Sequence, residues 1–147
     1  MYEYSCEVKR VVDGDTIDVI MDLGFDIFHK CRVRLYGIDT PESRTRDLEE
    51  KARGLLAKKY LKEHIKKADK IIIQTKLKDS KGKFGRVLGS VVADGVNLNN
   101  LMTLNHHAVI YHGQSKTEIE EEHLKNREKL INSGRYKIDP KFLHKIL

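Results

Sequence analysis

Tryptophan is absent from this chain of 147 residues, and aromatic residues of all kinds make up only 7%. A groove that binds single strands by stacking wants several exposed aromatics along its length. With Tyr111 as the main candidate, a plain stacking binder is disfavoured. Cysteine is scarce too. Cys6 and Cys31 fall in strand-like stretches, not at metal-ligand spacing. That excludes a zinc finger and favours two buried free thiols over a disulfide. No apolar run approaches the roughly 20 residues that span a bilayer. The start, Met1-Tyr2-Glu3-Tyr4, enters a strand pattern with no charged-then-apolar leader. The expectation is an intracellular chain with no membrane partner.

Charge is plentiful. Charged residues are 34% of the chain against 39% hydrophobic, and the formal net charge is +6. This describes a globular chain with a highly charged surface and a bias toward polyanionic partners such as nucleic acid. The length suits one domain over 1–147, burying roughly 68–70% of the surface of the unfolded chain.

Tyr2, Tyr4, Cys6 and Val8 alternate with polar residues, as a half-buried strand does. Asp13-Gly14 signals a turn. Ile17, Val19, Met21 and Leu23 give a second strand. Ile27, Cys31, Val33 and Leu35, with His29 on the same parity, give a third, whose other face carries Lys30, Arg32 and Arg34. From about Asp47 the period changes to three and four, through Leu48, Ala52, Leu55, Leu56, Tyr60 and Ile65. Asp47 with Glu50 resembles a capping box. Gly54 within this helix costs about 1 kcal/mol against alanine, which suggests close packing on the sheet. Ile71-Ile72-Ile73 is a buried-strand signal, 78–83 an exposed loop, and Val87 to Ala93 a fifth strand ending at Asp94-Gly95. Asn97 caps a short apolar helix through Leu104. Thr117 with Glu120 opens a last helix that Gly134 stops. The reading is α+β, mainly β: a five-stranded OB-type barrel with three packed helices.

The residues that carry chemistry cluster in Val33-Arg34-Leu35-Tyr36-Gly37-Ile38-Asp39-Thr40-Pro41-Glu42. Asp15 and Asp39 lie near the boundaries of different strands. Two carboxylates brought together repel unless a cation bridges them, and hard oxygen ligands suit Ca²⁺ or Mg²⁺. A backbone carbonyl near Thr40 adds a neutral ligand. Asp13 reads as turn chemistry. Arg34 and Arg86 are the natural phosphate clamps, since a guanidinium donates two parallel hydrogen bonds and keeps its charge. Arg32 competes with Arg34 on parity. Glu42, three residues after Asp39, is the candidate base for a water. Among the seven histidines, His106, His107 and His112 are the weaker alternative metal set, with no carboxylate at their spacing.

These motifs reach a known family. Val12-Asp13-Gly14-Asp15-Thr16, Arg34 with Ile38 to Glu42, Lys83-Phe84-Gly85-Arg86 and Ala93-Asp94-Gly95 occur in the order and near the spacing of the thermonuclease (staphylococcal nuclease) family, and the chain resembles it over about residues 4–135, with a tail at 136–147. The resemblance implies Ca²⁺ held by Asp15, Asp39 and the Thr40 carbonyl. It implies phosphate gripped by Arg34 and Arg86, Glu42 as base, and substrate contacts from Lys83 and Tyr111. It implies cleavage of DNA and RNA to 3′-phosphate ends, with little sequence specificity. The expected state of the chain is a monomer. The chain departs from the family at Phe84, where a tyrosine is usual, at Val109, where the first of two base-flanking tyrosines would stand, and in the arginine-rich 43–48 segment. The rival class is a non-catalytic nucleic-acid-binding module of the same fold, which typically loses the acidic and arginine set kept here.

Overall fold

The chain opens with β1 (Tyr2–Asp13), longer than its alternation suggests because it is bulged twice. Val8 pairs with Val19 but Arg10 with Asp18, and Val11 pairs with Ile17 but Asp13 with Thr16. Lys9 and Val12 are the extra residues, so Val11 and Val12 are buried side by side, against period two. β2 (Thr16–Asp22) and β3 (Phe28–Leu35) continue the antiparallel meander. Leu23 and Ile27, expected on strands, belong instead to the hairpin tip. They are 40% and 56% exposed, and His29 is exposed as well. A turn at Tyr36-Gly37 leads to the two-residue β4 (Ile38–Asp39).

The first helix, α1 (Leu48–Lys67), is capped by Asp47, whose carboxylate accepts from the N–H groups of Glu49 and Glu50. The return half of the expected capping box is not made. Glu50 Oε2 accepts instead from the Glu42 N–H at 3.0 Å, so the helix start is tied to the preceding loop. The inward face also differs from the leucine reading. Leu48 and Leu55 are each 45% exposed, and the buried stripe is Glu49, Arg53, Gly54, Ala57 and Leu61. Small residues let the helix approach closely, and the two buried charges pair with each other.

The chain then returns as β5 (Ile71–Thr75), antiparallel to β1, and β6 (Val87–Ala93), antiparallel to β5. β6 also runs parallel to β3, with Val33 opposite Val87 and Leu35 opposite Gly89. That pairing closes the ring, so β1, β2, β3, β5 and β6 form a five-stranded OB-type barrel with three helices. Asp94-Gly95 makes the two-residue turn to β7 (Val96–Asn97), which leads into α2 (Leu98–Leu104), capped by Asn97 as expected. A last two-residue strand, β8 (Val109–Ile110), pairs with β4. α3 (Lys116–Asn132) follows. Its cap is Ser115, not Thr117: Ser115 is extended and accepts from the Glu118 N–H, an S-x-x-E spacing two residues earlier than the one read in the sequence. Gly134 ends α3, with its N–H on Ile131 and that of Arg135 on Leu130. The strands β4, β7 and β8 are too short to leave a period.

The computed structural model describes residues 2–75 and 86–142. The expected loop at 78–83, with Lys83 and Phe84, lies outside them. Among the described residues no helix is long and apolar enough to cross a membrane. The barrel interior takes side chains from every strand, including Val11, Ile17, Val19, Val33, Leu35, Ile73 and Val91, and Leu61, Leu98 and Met102 seal it from the helices. Burying each large side chain contributes about 1.5–3 kcal/mol.

A buried ionic cluster joins α1, α3 and the tail. Glu49 accepts from Arg53 Nε at 2.7 Å, Arg127 Nη1 at 2.8 Å and the Tyr136 hydroxyl at 2.8 Å. Burial pushes the Glu49 carboxyl up, but these hydrogen bonds outweigh it and leave it below the ordinary value of 4.5. Its stabilisation is therefore complete above pH 4.5 and is lost as pH falls through the lower folded value. Glu49→Gln should cost roughly 3–5 kcal/mol at neutral pH by removing the charge that pairs with buried Arg53 and half-buried Arg127. Urea unfolding should also show a shallower stability loss below pH 4.5 in the variant than in the parent. Equal acid slopes would remove Glu49 from this role.

Candidate active site

Four segments meet at one end of the barrel. The β1–β2 turn supplies Asp13 and Asp15, the end of β3 supplies Arg34, β4 and the residues after it supply Asp39, Thr40 and Glu42, and the residue before β6 is Arg86. They line an open cavity of about 280 Å³ with Thr16, Pro41 and Ser43. The topology dictates this convergence. Thr16 sits opposite Arg34 in the β2–β3 register, and the parallel pairing that closes the barrel sets Val87 opposite Val33, which brings Arg86 to the same mouth. Gly37 has φ +77°, open to glycine at little cost, and lets the chain reverse so that Asp39 returns beside Arg34.

Arg34 stands between the two carboxylates. Its Nη2 is 3.3 Å from Asp15 Oδ2 and 3.7 Å from Asp39 Oδ1, while Nη1 donates to its own strand at Leu35 O, 2.8 Å away. Asp15 is held further by the Thr40 N–H at 3.2 Å and the Thr16 hydroxyl at 3.0 Å. Asp13, read as turn chemistry, accepts from the Ser43 hydroxyl and so joins the β1–β2 turn to the loop that carries Glu42. Glu42 is exposed at the rim. Partial desolvation first, then the charges of Asp15, Asp39, Glu50 and Asp13, raise its carboxyl above the ordinary value of 4.5.

Gly54 packs here, not on the sheet as its place in the helix pattern suggested. A Cβ on it would lie 2.5 Å from the Glu42 carbonyl oxygen and 2.7 Å from the Ser43 nitrogen. Real contacts are never so short, and backbone cannot swing aside as a side chain can. Glycine at 54 is therefore what seats the Glu42 loop against α1.

His123 is the residue that sequence reasoning missed. It is buried on α3, and its Nε2 is 2.7 Å from Asp39 Oδ2. A carboxylate only accepts, so this ring nitrogen carries the hydrogen. The signal available was weak: His123 and Leu130 are seven residues apart on one face, and they are the buried residues of α3. Asp39, Thr40 and Glu42 also wall a larger cavity of about 540 Å³ between the starts of α1 and α3, onto which His123 faces.

Other expected residues fall elsewhere. Arg32 is engaged at the surface by Asp18, with hydrogen bonds of 2.8 and 3.1 Å, and does not line the site. His107 is buried against Tyr60 with ring centroids 4.3 Å apart, and burial pushes it down to about 4, so it stays neutral. His112 is exposed. Tyr111 is 48% exposed beyond β8, its N–H on Gly37 O, and it does not line the 280 Å³ cavity. Among the described residues no three His, Cys, Asp or Glu side chains gather as a metal cage. The donor set still fits a hard cation: two carboxylates around one positive charge, with the Thr40 carbonyl alongside in sequence.

A closed five-stranded barrel with arginines and carboxylates converging at its mouth defines an OB-type domain. The family model described as Staphylococcal nuclease homologue matches residues 32–137, and the chain belongs to that family. It is 32% identical over 115 residues to Endonuclease YhcR of Bacillus subtilis (strain 168), covering 74% of this chain and 9% of that protein. It is 39% identical to Protein ParB of Escherichia coli, over 60% of this chain and 42% of that one. It is 37% identical to Thermonuclease of Staphylococcus intermedius, over 57% and 46%. The chain thus spans less than half the length of each of these relatives.

The Gly54 contact is testable by stability alone. Helix propensity favours Gly54→Ala by about 1 kcal/mol, whereas overpacking against fixed backbone costs about 1–3 kcal/mol. The expected outcome in urea denaturation is net destabilisation. A stabilised variant would show that the Glu42 loop yields freely.

Proposed function

We propose that this chain is a Ca²⁺-dependent nuclease, a single domain over 1–147 acting as a monomer, that hydrolyses phosphodiester bonds of DNA or RNA with little sequence specificity and leaves 3′-phosphate ends. The observation that carries the reading is the convergence of Asp15, Arg34, Asp39, Thr40, Glu42 and Arg86 on one cavity. The names of two relatives, an endonuclease and a thermonuclease, support it.

Each residue has a role that its position suits. Asp15, Asp39 and the Thr40 carbonyl would hold the calcium ion, which supplies positive charge against a phosphoryl oxygen. Arg34 and Arg86, fixed at the ends of neighbouring strands, donate to the equatorial oxygens and oppose charge that grows in the transition state. Glu42 accepts a proton from the attacking water, and its raised carboxyl makes it a better base than an ordinary glutamate. Lys83 and Tyr111 are assigned to contacts with the rest of the strand. Phosphate contacts carry no base identity, which accounts for low specificity. The net charge of +6 draws the polyanion in.

Cleavage of labelled single-stranded DNA in calcium, magnesium or chelator tests this. Cutting should require the cation and be lost in Asp39→Ala. Glu42→Gln should lower kcat about 10²–10⁴-fold with little change in KM, and Arg34→Lys about 10²–10³-fold. A polymerase should extend the products only after their 3′ ends are dephosphorylated. Binding without cutting under any cation would favour the non-catalytic module.

A further inference from the structure

We propose that His123 is a positioning residue of this site: from α3 it holds Asp39 so that Asp39 offers one oxygen, Oδ1, to the bound cation. The inference rests on the cation reading above. Its own basis is geometric. Asp39 Oδ2 is committed to His123 Nε2 at 2.7 Å, while Oδ1 faces Arg34 at 3.7 Å. The two oxygens of one carboxylate are thus divided between two tasks.

That division needs an anchor. Asp39 sits on a strand of two residues whose backbone pairs with β8, and that pairing leaves the side-chain torsions unset. A carboxylate near a guanidinium can rotate to present both oxygens, as the bidentate fork prefers. The His123 ring prevents it. His123 is 9% exposed on a helix that is otherwise mostly solvent-facing, and α3 is docked mainly through polar side chains. Asn126 reaches the Ala108 carbonyl at 3.1 Å and Arg127 reaches Glu49 at 2.8 Å, so the ring is carried by a helix tied both to the residue before β8 and to α1. Hydrogen-bonded partners behind a metal ligand typically account for 10–100-fold in affinity.

Two readouts separate positioning from mere docking of α3. In chelator, thermal unfolding of His123→Ala, Asp39→Ala and the double variant should be non-additive: the second substitution lowers Tm much less once the first is made. By calorimetry, His123→Ala should bind calcium about 10–100-fold more weakly than the parent. A conservative pair sharpens this and serves if His123→Ala does not fold. The amide nitrogen of Gln reaches about where Nε2 lies, and that of Asn about where Nδ1 lies. His123→Gln should keep most of the affinity and His123→Asn should not. Coupled Tm shifts with calcium affinity unchanged in His123→Ala, or in both His123→Gln and His123→Asn, would overturn the proposal and leave a docking contact. A parent chain that binds no calcium would instead overturn the cation reading, and this inference with it.

Discussion

Two carboxylates at one barrel mouth repel each other, and the positive charge of Arg34 between Asp15 and Asp39 is what lets them share it. A pair of unit charges at 4 Å interacts by about 4 kcal/mol at an effective dielectric of 20. That is a large share of the stability of any small domain. The rest of the site depends on this balance. β3 ends where it does so that Arg34 faces the β1–β2 turn, the Gly37 turn returns Asp39 to the same guanidinium, and barrel closure delivers Arg86.

The scaffold holds this constellation from three sides. The barrel fixes the strand ends through a core of fully buried Ile17, Val33, Leu35 and Ile73. α1 presses on the Glu42 loop where Gly54 has no side chain, and Glu50 grips the Glu42 N–H. α3 reaches Asp39 through His123 and α1 through the Glu49 cluster. Function and stability thus meet in the helices. The groups that seat the Glu42 loop and Asp39 are polar or small, which is why the inward faces of α1 and α3 do not look like ordinary apolar stripes.

Much of this was legible in the sequence. The residues that line the 280 Å³ cavity are picked out by chemistry at turns and strand ends: Asp15 stands in the β1–β2 turn, Arg34 one residue before the end of β3, Asp39 at the end of β4 and Glu42 in the loop after it. The barrel strands follow from alternation, although the bulges at Lys9 and Val12 hid the second half of β1. What alternation and helical period cannot carry is burial of charge. Glu49, Arg53 and His123 read as solvated helix residues; the partners of Glu49 and His123 lie 78 to 87 residues away, and Arg53 pairs with Glu49 itself. The Leu48 and Leu55 stripe misled for the same reason, and the cap of α3 slipped because Ser115 and Thr117 both offer a hydroxyl three residues before a glutamate.

The most direct measurement is an NMR titration of the labelled protein with calcium and an oligonucleotide of non-cleavable linkages, followed at the Arg34 side-chain N–H groups and the Asp15 and Asp39 carboxylate carbons. The expected result is that calcium moves both carboxylate signals along one saturation curve and that the oligonucleotide then moves Arg34. Carboxylate signals indifferent to calcium, with Arg34 unmoved by the nucleic acid, would contradict a phosphodiester-cleaving centre at this end of the barrel.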